Sequence, residues 1–191
     1  GIIAIKLLDV MPMWAAILCA LAFGAFVGFI NGFLVVQQKT EPFIITLGMG
    51  MLLTGVAQQL TDARPVPASN PDFMMIGNGD FHGVPYLVII MLVCFAATHW
   101  LMRYTAYGRN LYAIGGDYEV ALYSGINVVR TKWMAFVISG MAAALAGVLL
   151  SSKLNTGSSI YGETAALIVN CGVVVGGTSF AGGIGGIPQS A

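Results

Sequence analysis

Residues 10–38, VMPMWAAILCALAFGAFVGFINGFLVVQQ, carry no charged side chain; the flanking ions are Asp9 and Lys39. A helix of about 20 apolar residues crosses the roughly 30 Å of hydrocarbon in a bilayer, and this stretch is longer than that. Similar gaps lie between Glu41 and Asp62, Asp80 and Arg103, Lys132 and Lys153, and after Glu163. Together they place hydrophobic segments near 13–36, 42–60, 84–102, 133–152 and 164–187. Backbone groups in hydrocarbon must be satisfied within the segment, which predicts helices. The alternating pattern of a membrane barrel is absent. The expected fold class is all-α, a polytopic transmembrane helical bundle of about five hydrophobic segments, the last Gly-rich and irregular.

Composition agrees with that reading. Of 191 residues, 58% are apolar and 8% charged, against about a quarter charged in globular proteins. The alternative, a soluble helical core of extreme apolarity, lacks the charge to cover its own surface. Net charge is zero, so nucleic acid is not an expected partner. Cys19, Cys94 and Cys171 sit in apolar runs without a C-x-x-C or a nearby His at ligand spacing. They read as small buried hydrophobes, and no metal site is expected. The chain opens on Gly1 and stops at Ala191 within an apolar stretch, so a partial transmembrane domain over 1–191 is expected.

Lys and Arg set orientation, because cytoplasmic loops are enriched in them. Loops 37–41 and 103–132 hold Lys39, Arg103, Arg109, Arg130 and Lys132. The alternate set, 1–12, 61–83 and 153–163, holds Lys6, Arg64 and Lys153 beside Asp9, Asp62, Asp72, Asp80 and Glu163. The first set is therefore expected inside the cell. Loop 61–83 is rich in turn formers rather than helix formers. It reads either as a short outside structure over a pathway mouth or as an ordinary connector.

Within the segments, Gly24, Gly28 and Gly32 recur every four residues, as do Ser139, Ala143 and Gly147. Each set offers a small face on which a second helix backbone can approach closely. The run GVVVGGTSFAGGIGG, 172–186, has seven glycines. It predicts a kinked, short or re-entrant element, since irregular backbone at membrane depth is tolerated only against protein or a wet cavity. It is no phosphate loop, because neither Walker nor dinucleotide spacing is met. No cofactor is expected on this chain.

The segments contain no Asp, Glu, Lys or Arg. Ion-coupled carriers keep ionisable groups at depth, so an uncharged solute moved by energy supplied elsewhere fits better. An intramembrane enzyme is disfavoured, and no residue is expected to be catalytic. His99 and its neighbour Trp100 read as interfacial. Asn31, Thr46, Asn170, Thr178 and Ser179 are candidates for hydrogen bonding a solute in a pathway. Helix–helix hydrogen bonding explains each of them as well.

Residues 103–132, RYTAYGRNLYAIGGDYEVALYSGINVVRTK, form the expected cytoplasmic loop. Asp117–Ser124 spans about two helical turns, with Asp117 at the N-cap and Glu119 in the first turn. Gly115 and Gly116 precede it and Gly125 follows. A short capped helix is a good mechanical contact; a plain amphipathic connector is the alternative.

The stretch GRNLYAIGGDYEVALYSGI resembles the cytoplasmic coupling segment of permease subunits in bacterial ATP-binding-cassette sugar importers, the family of ribose, xylose, galactoside and autoinducer-2 permeases. EPFIITLGMGMLLTGVAQQLTDARPV is similar to that family's Pro-Phe-Ile-x-Thr-Leu-Gly segment, and VVVGGTSFAGGIGG to its Gly-Gly-Thr-Ser segment. The three occur in the family's order across about residues 24–187.

The resemblance implies a multi-pass protein of the bacterial inner membrane that does no chemistry itself. Its implied partners are the lipid bilayer, a cytoplasmic ATP-binding subunit, a second permease subunit, and a periplasmic or extracellular sugar-binding protein. Gly115, Gly116, Asp117, Glu119, Ala121, Ser124, Gly125 and Ile126 would contact the ATPase. Family members carry further helices on both sides, so this stretch alone is not expected to form a complete pathway. The terminal IPQSA departs from the family pattern. Two rivals stay open: a secondary carrier without an ATPase, and a branched-chain amino acid permease of the same broad type.

Overall fold

The computed structural model describes residues 1–8, 11–38, 40–62, 64–68, 70–81, 83–159 and 165–177. Helices dominate: α1 Ile2–Leu8, α2 Met13–Gln38, α3 Pro42–Thr61, α4 Pro71–Asn78, α5 Tyr86–Tyr104, α6 Ala106–Gly116, α7 Tyr118–Tyr123, α8 Val128–Leu154 and α9 Ala165–Val175. The strands are two-residue pieces, β1 Val66–Pro67, β2 Asp80–Phe81, β3 Val84–Pro85 and β4 Thr156–Gly157. Helices α2, α3, α5 and α8 are long and apolar enough to cross a membrane. At 1.5 Å per residue they extend about 39, 30, 29 and 40 Å, against about 30 Å of hydrocarbon.

The chain divides into two units, Gly1–Ile89 with Trp133–Gly162, and Ile90–Lys132 with Glu163–Ala191. In the first, the buried face of α2 is Ala16, Ala20, Gly24, Gly28, Gly32 and Val35, and α8 lies directly on it. A Cβ added at Gly28 would stand 2.3 Å from the Phe136 carbonyl oxygen and 3.0 Å from Val137 Cα. One added at Gly24 would stand 2.5 Å from both the Gly140 oxygen and the Ala144 Cβ. Such backbone-to-backbone approach replaces hydrophobic driving force in lipid, where tails are as apolar as the helices.

The small face of α8 is not the one its spacing first suggests. Gly140 and Ala144 meet α2, whereas Ser139 and Ala143, one residue earlier on the helix, are exposed; Gly147, the third member of that stripe, is half-buried beside the Gly1 backbone. Two small stripes run side by side on this helix, and spacing alone does not choose between them. Further along, Phe29 meets Trp133 edge-on at 5.2 Å between ring centroids, and Phe33 lies 6.0 Å from the same ring.

At the other end of α2 and α8 a small cap forms. Ala4, Ile5, Ala20, Ala68, Phe73 and Val148 make its core, with Leu8, Met13, Ile17 and Val66 packed around them. Phe73 is fully buried, a contribution of about 1.5–3 kcal/mol for a side chain of that size. Segment 61–83, read as turns, contains α4, started by Asn70, whose side chain accepts the Asp72 N–H at 3.1 Å, with Pro71 in the first turn. Ser152 donates its hydroxyl to the Phe73 carbonyl, and β1 pairs antiparallel with β4, Val66 opposite Gly157. That pairing joins residues 89 and 91 apart in sequence, so local patterning carries no trace of it.

Helix α3 buries only Thr61 and α5 buries nothing among the described residues. Phe43, Ile44, Leu47, Met51, Leu52, Val56 and Leu60 are exposed along α3. Apolar faces of this extent do not face water in soluble monomers. They require lipid or other helices.

The second unit holds most of α5, then α6, α7 and the first turn of α8, and α9. Helix α9 runs only 11 residues, and the turn after it places Gly177 at φ +86. The remainder of the Gly-rich segment lies outside the described residues.

Candidate functional site

The site is built from three helices separated by very short breaks. Thr105 alone interrupts α5 and α6, and its hydroxyl accepts the Gly108 N–H at 3.4 Å, capping α6. Sequence reasoning missed α6, although Tyr107, Leu111 and Ile114 recur at i, i+4 and i+7 behind a Thr cap, the amphipathic signature of a helix. As a result Gly115 and Gly116, read as a break ahead of the short helix, are the last residues of α6.

Asp117 then serves both helices. It closes α6 by donating its N–H to the Ala113 carbonyl, and it opens α7 by accepting the Glu119 and Val120 N–H groups at 2.9 and 3.1 Å. Its φ of −152 and ψ of 116 are the extended values an N-cap needs. The far end of α7 is closed by Gly125, at φ +77. Ile126 N–H bonds the Ala121 carbonyl and Gly125 N–H the Leu122 carbonyl, the paired bonds of a left-handed C-cap in which glycine avoids the Cβ penalty. The Ser124 hydroxyl donates to the Val120 carbonyl at 2.8 Å.

Asn127 follows at once and accepts the Arg130 N–H at 3.0 Å. This cap starts α8 at Val128, five residues ahead of the apolar run at 133, because a capped turn tolerates Arg130 and Lys132 where lipid would not.

Packing ties the pieces together. Ile114 of α6, Ala121 of α7 and Val128 of α8 form a buried cluster, with Ile126 against it. The Lys132 ammonium sits over the Tyr118 ring, 5.1 Å from its centroid, a contact worth about 0.5–1 kcal/mol at an exposed site. Outward, α7 presents Tyr118, Glu119, Val120, Leu122 and Tyr123, all exposed, Tyr123 at 85%. Helix α7 is thus a two-turn helix capped at both ends, pinned on one face and apolar with one acid on the other. The Tyr107 hydroxyl, inside the α6 region, is buried without a hydrogen-bond partner, and burial raises its pKa.

The eight expected coupling residues thus fall on one continuous stretch: Gly115 and Gly116 end α6, Asp117, Glu119, Ala121 and Ser124 build α7, and Gly125 and Ile126 cap it. Ala121 is buried and serves packing; Asp117, Glu119 and Ser124 are exposed.

The expected pathway residues are scattered. Asn31 Oδ1 is buried without a hydrogen-bond partner. Thr46 is exposed and donates back to its own helix, 2.9 Å from the Pro42 carbonyl. Asn170 is exposed on α9; Thr178 and Ser179 lie outside the described residues. The pocket bordered by Ile2, Gly147, Ser151 and Thr156 is lined by none of them. No group of three or more His, Cys, Asp or Glu side chains able to hold a metal occurs among the described residues.

Residues 1–187 match the family described as branched-chain amino acid transport system / permease component. The ribose import permease protein RbsC of Bacillus subtilis (strain 168) is 40% identical over 159 residues, 82% of this chain and 49% of the relative. Its namesake from Haemophilus influenzae is 36% identical over 190 residues, 97% of this chain and 59% of the relative. The L-arabinose transport system permease protein AraH of Escherichia coli (strain K12) is 35% identical over 158 residues, 83% of this chain and 48% of the relative. The chain spans about half the length of these curated relatives. No solved structure matches. By sequence over nearly all its length, and with four helices able to cross a bilayer, the chain belongs to the membrane permease family of branched-chain amino acid transport system permease components.

Proposed function

We propose that this chain is the membrane-spanning part of an ATP-driven importer for a simple sugar or a related neutral, polyol-like solute. It lies in the bacterial inner membrane and works with a cytoplasmic ATPase chain that hydrolyses the ATP, a second permease subunit and a sugar-binding protein outside. The observation that carries this reading is α7, capped at both ends by Asp117 and Gly125, packed on the first turn of α8 through Ala121 and Val128, with its opposite face exposed.

Force applied to that face has few places to dissipate. Asp117 ties α7 to α6, and the Ala121–Val128 and Tyr118–Lys132 contacts tie it to α8. Closure of an ATPase dimer would displace α7, and the spans would exchange outward for inward access, a two-state element biased by a partner. The sugar assignment rests on relatives named for ribose and arabinose and on spans that carry no charge to meet a zwitterion. The family's own description favours branched-chain amino acids. Competition between unlabelled ribose and leucine for uptake into one vesicle preparation separates the two.

The coupling itself is tested by co-purification with the ATPase. Gly116→Trp and Glu119→Lys are expected to abolish capture while the permease still inserts; undiminished capture by both variants contradicts the assignment.

A further inference from the structure

We propose that Thr105 and Gly108 are positioning residues that weld the first turn of α6 to the last turn of α5, so that the coupling segment and the inner end of that span turn as one body. The inference rests on the function proposed above but adds residues that do not belong to the docking face.

The break between the two helices is one residue long, and the Thr105 hydroxyl bridges it. The hydroxyl donates to the Leu101 carbonyl of α5 at 2.6 Å and accepts the Gly108 N–H of α6 at 3.4 Å. The Thr105 carbonyl accepts the Arg109 N–H at 3.4 Å, the first backbone bond of α6, so the bridge to α5 rests on the hydroxyl. Gly108 makes the angle possible. A Cβ added there would fall 1.9 Å from the Met102 carbonyl oxygen, 2.5 Å from its carbon and 2.6 Å from its Cα. Every one of these is backbone, so no side-chain rotation relieves the clash; α6 would have to swing away.

Gly108 is itself buried. Two turns further along the same helix, Ile114 packs on Ala121 and Val128. The angle set at Thr105–Gly108 is therefore inherited by α7. Gly116, by contrast, has nothing within 4 Å of an added Cβ, so the need for glycine at 108 is a property of the elbow and not of α6 as a whole.

The test uses the assembled transporter in proteoliposomes, with two readouts: ATPase captured by the permease, and solute moved per ATP hydrolysed. Gly108→Ala and Thr105→Val leave both caps of α7 intact, so capture should stay within about twofold of the parent while solute moved per ATP falls about tenfold. Thr105→Ser keeps the hydroxyl and should restore the ratio. Parental stoichiometry in Gly108→Ala and Thr105→Val, or a Thr105→Ser variant as impaired as Thr105→Val, overturns the proposal. Should Gly108→Ala fail to insert, the Thr105 pair decides alone. Spin labels at exposed Val93 on α5 and Ala113 on α6 read the angle directly. Their distance distribution should shift in Gly108→Ala and match the parent in Thr105→Ser. This measurement holds even if the parent captures no ATPase, a result that would sink the proposed function instead; an unshifted distance in Gly108→Ala sinks the elbow.

Discussion

Gly28→Ala places one methyl group in one of the two tightest described approaches between α2 and α8. The added Cβ would lie 2.3 Å from the Phe136 carbonyl oxygen and 3.0 Å from both the Phe136 carbon and Val137 Cα. Ordinary contact begins near 3.4 Å, so the two helices have to separate by about 1 Å along the whole Gly24–Gly28–Gly140 crossing. Overpacking of this kind costs about 1–3 kcal/mol. Each kcal/mol is about fivefold in the folded-to-unfolded ratio. Helix propensity works the other way, since Ala is favoured over Gly by about 1 kcal/mol. Gly50→Ala on α3 isolates that opposing effect, because nothing lies within 4 Å of its added Cβ. The assay is reversible unfolding of the detergent-solubilised chain by titrated denaturing detergent, followed by tryptophan fluorescence. Trp133 reports directly, through its contacts with Phe29 and Phe33 on α2. Gly28→Ala should unfold at lower denaturant than the parent, and Gly50→Ala at equal or higher. A Gly28→Ala protein as stable as Gly50→Ala would refute the reasoning about this crossing.

Two further outcomes follow from segment 103–132. Asp117→Ala removes the acceptor for the Glu119 and Val120 N–H groups, a loss of about 0.5–2 kcal/mol; limited proteolysis should cut faster around residue 117, with Asp117→Asn close to the parent. Tyr107→Phe deletes a buried hydroxyl that has no hydrogen-bond partner; since an unpaired buried hydroxyl costs about 1–3 kcal/mol, the variant should match or exceed the parent in thermal stability, and a clear loss would mean the hydroxyl is bonded after all.

The all-α membrane bundle was legible because charge is the costliest thing to place in lipid, and Asp, Glu, Lys and Arg mark the boundaries without regard to propensity. The α2 packing face was legible too: Gly24, Gly28 and Gly32 are buried as their spacing suggests. On α8 the same logic picked the Ser139, Ala143 and Gly147 stripe, whereas Gly140 and Ala144 meet α2, because a stripe of small residues says a helix can approach and not which neighbouring stripe it uses. Helix α6 escaped notice for a different reason. It is separated from α5 and α7 by one residue at each end, so Thr105 read as loop and Asp117, legible as the cap of α7, gave no sign that it also closes a helix before it. The cap around Phe73 and the β1–β4 pairing depend on contacts between residues far apart in sequence, which no local pattern encodes. For the site, Asp117 and Gly125 announced α7 from their chemistry alone. The pathway residues did not gain comparable support, since a polar side chain inside a bundle has equal use for a neighbouring helix.

Coupling to a cytoplasmic ATPase requires α6 and α7 to face the cell interior. Tyr123, 85% exposed on α7, is the place to ask. A Tyr123→Cys variant in a background with Cys19, Cys94 and Cys171 replaced should react with a membrane-impermeant thiol reagent in inside-out vesicles and stay unlabelled in intact cells, with bound ATPase slowing the reaction. Rapid labelling in intact cells would put the segment on the outside and contradict the account.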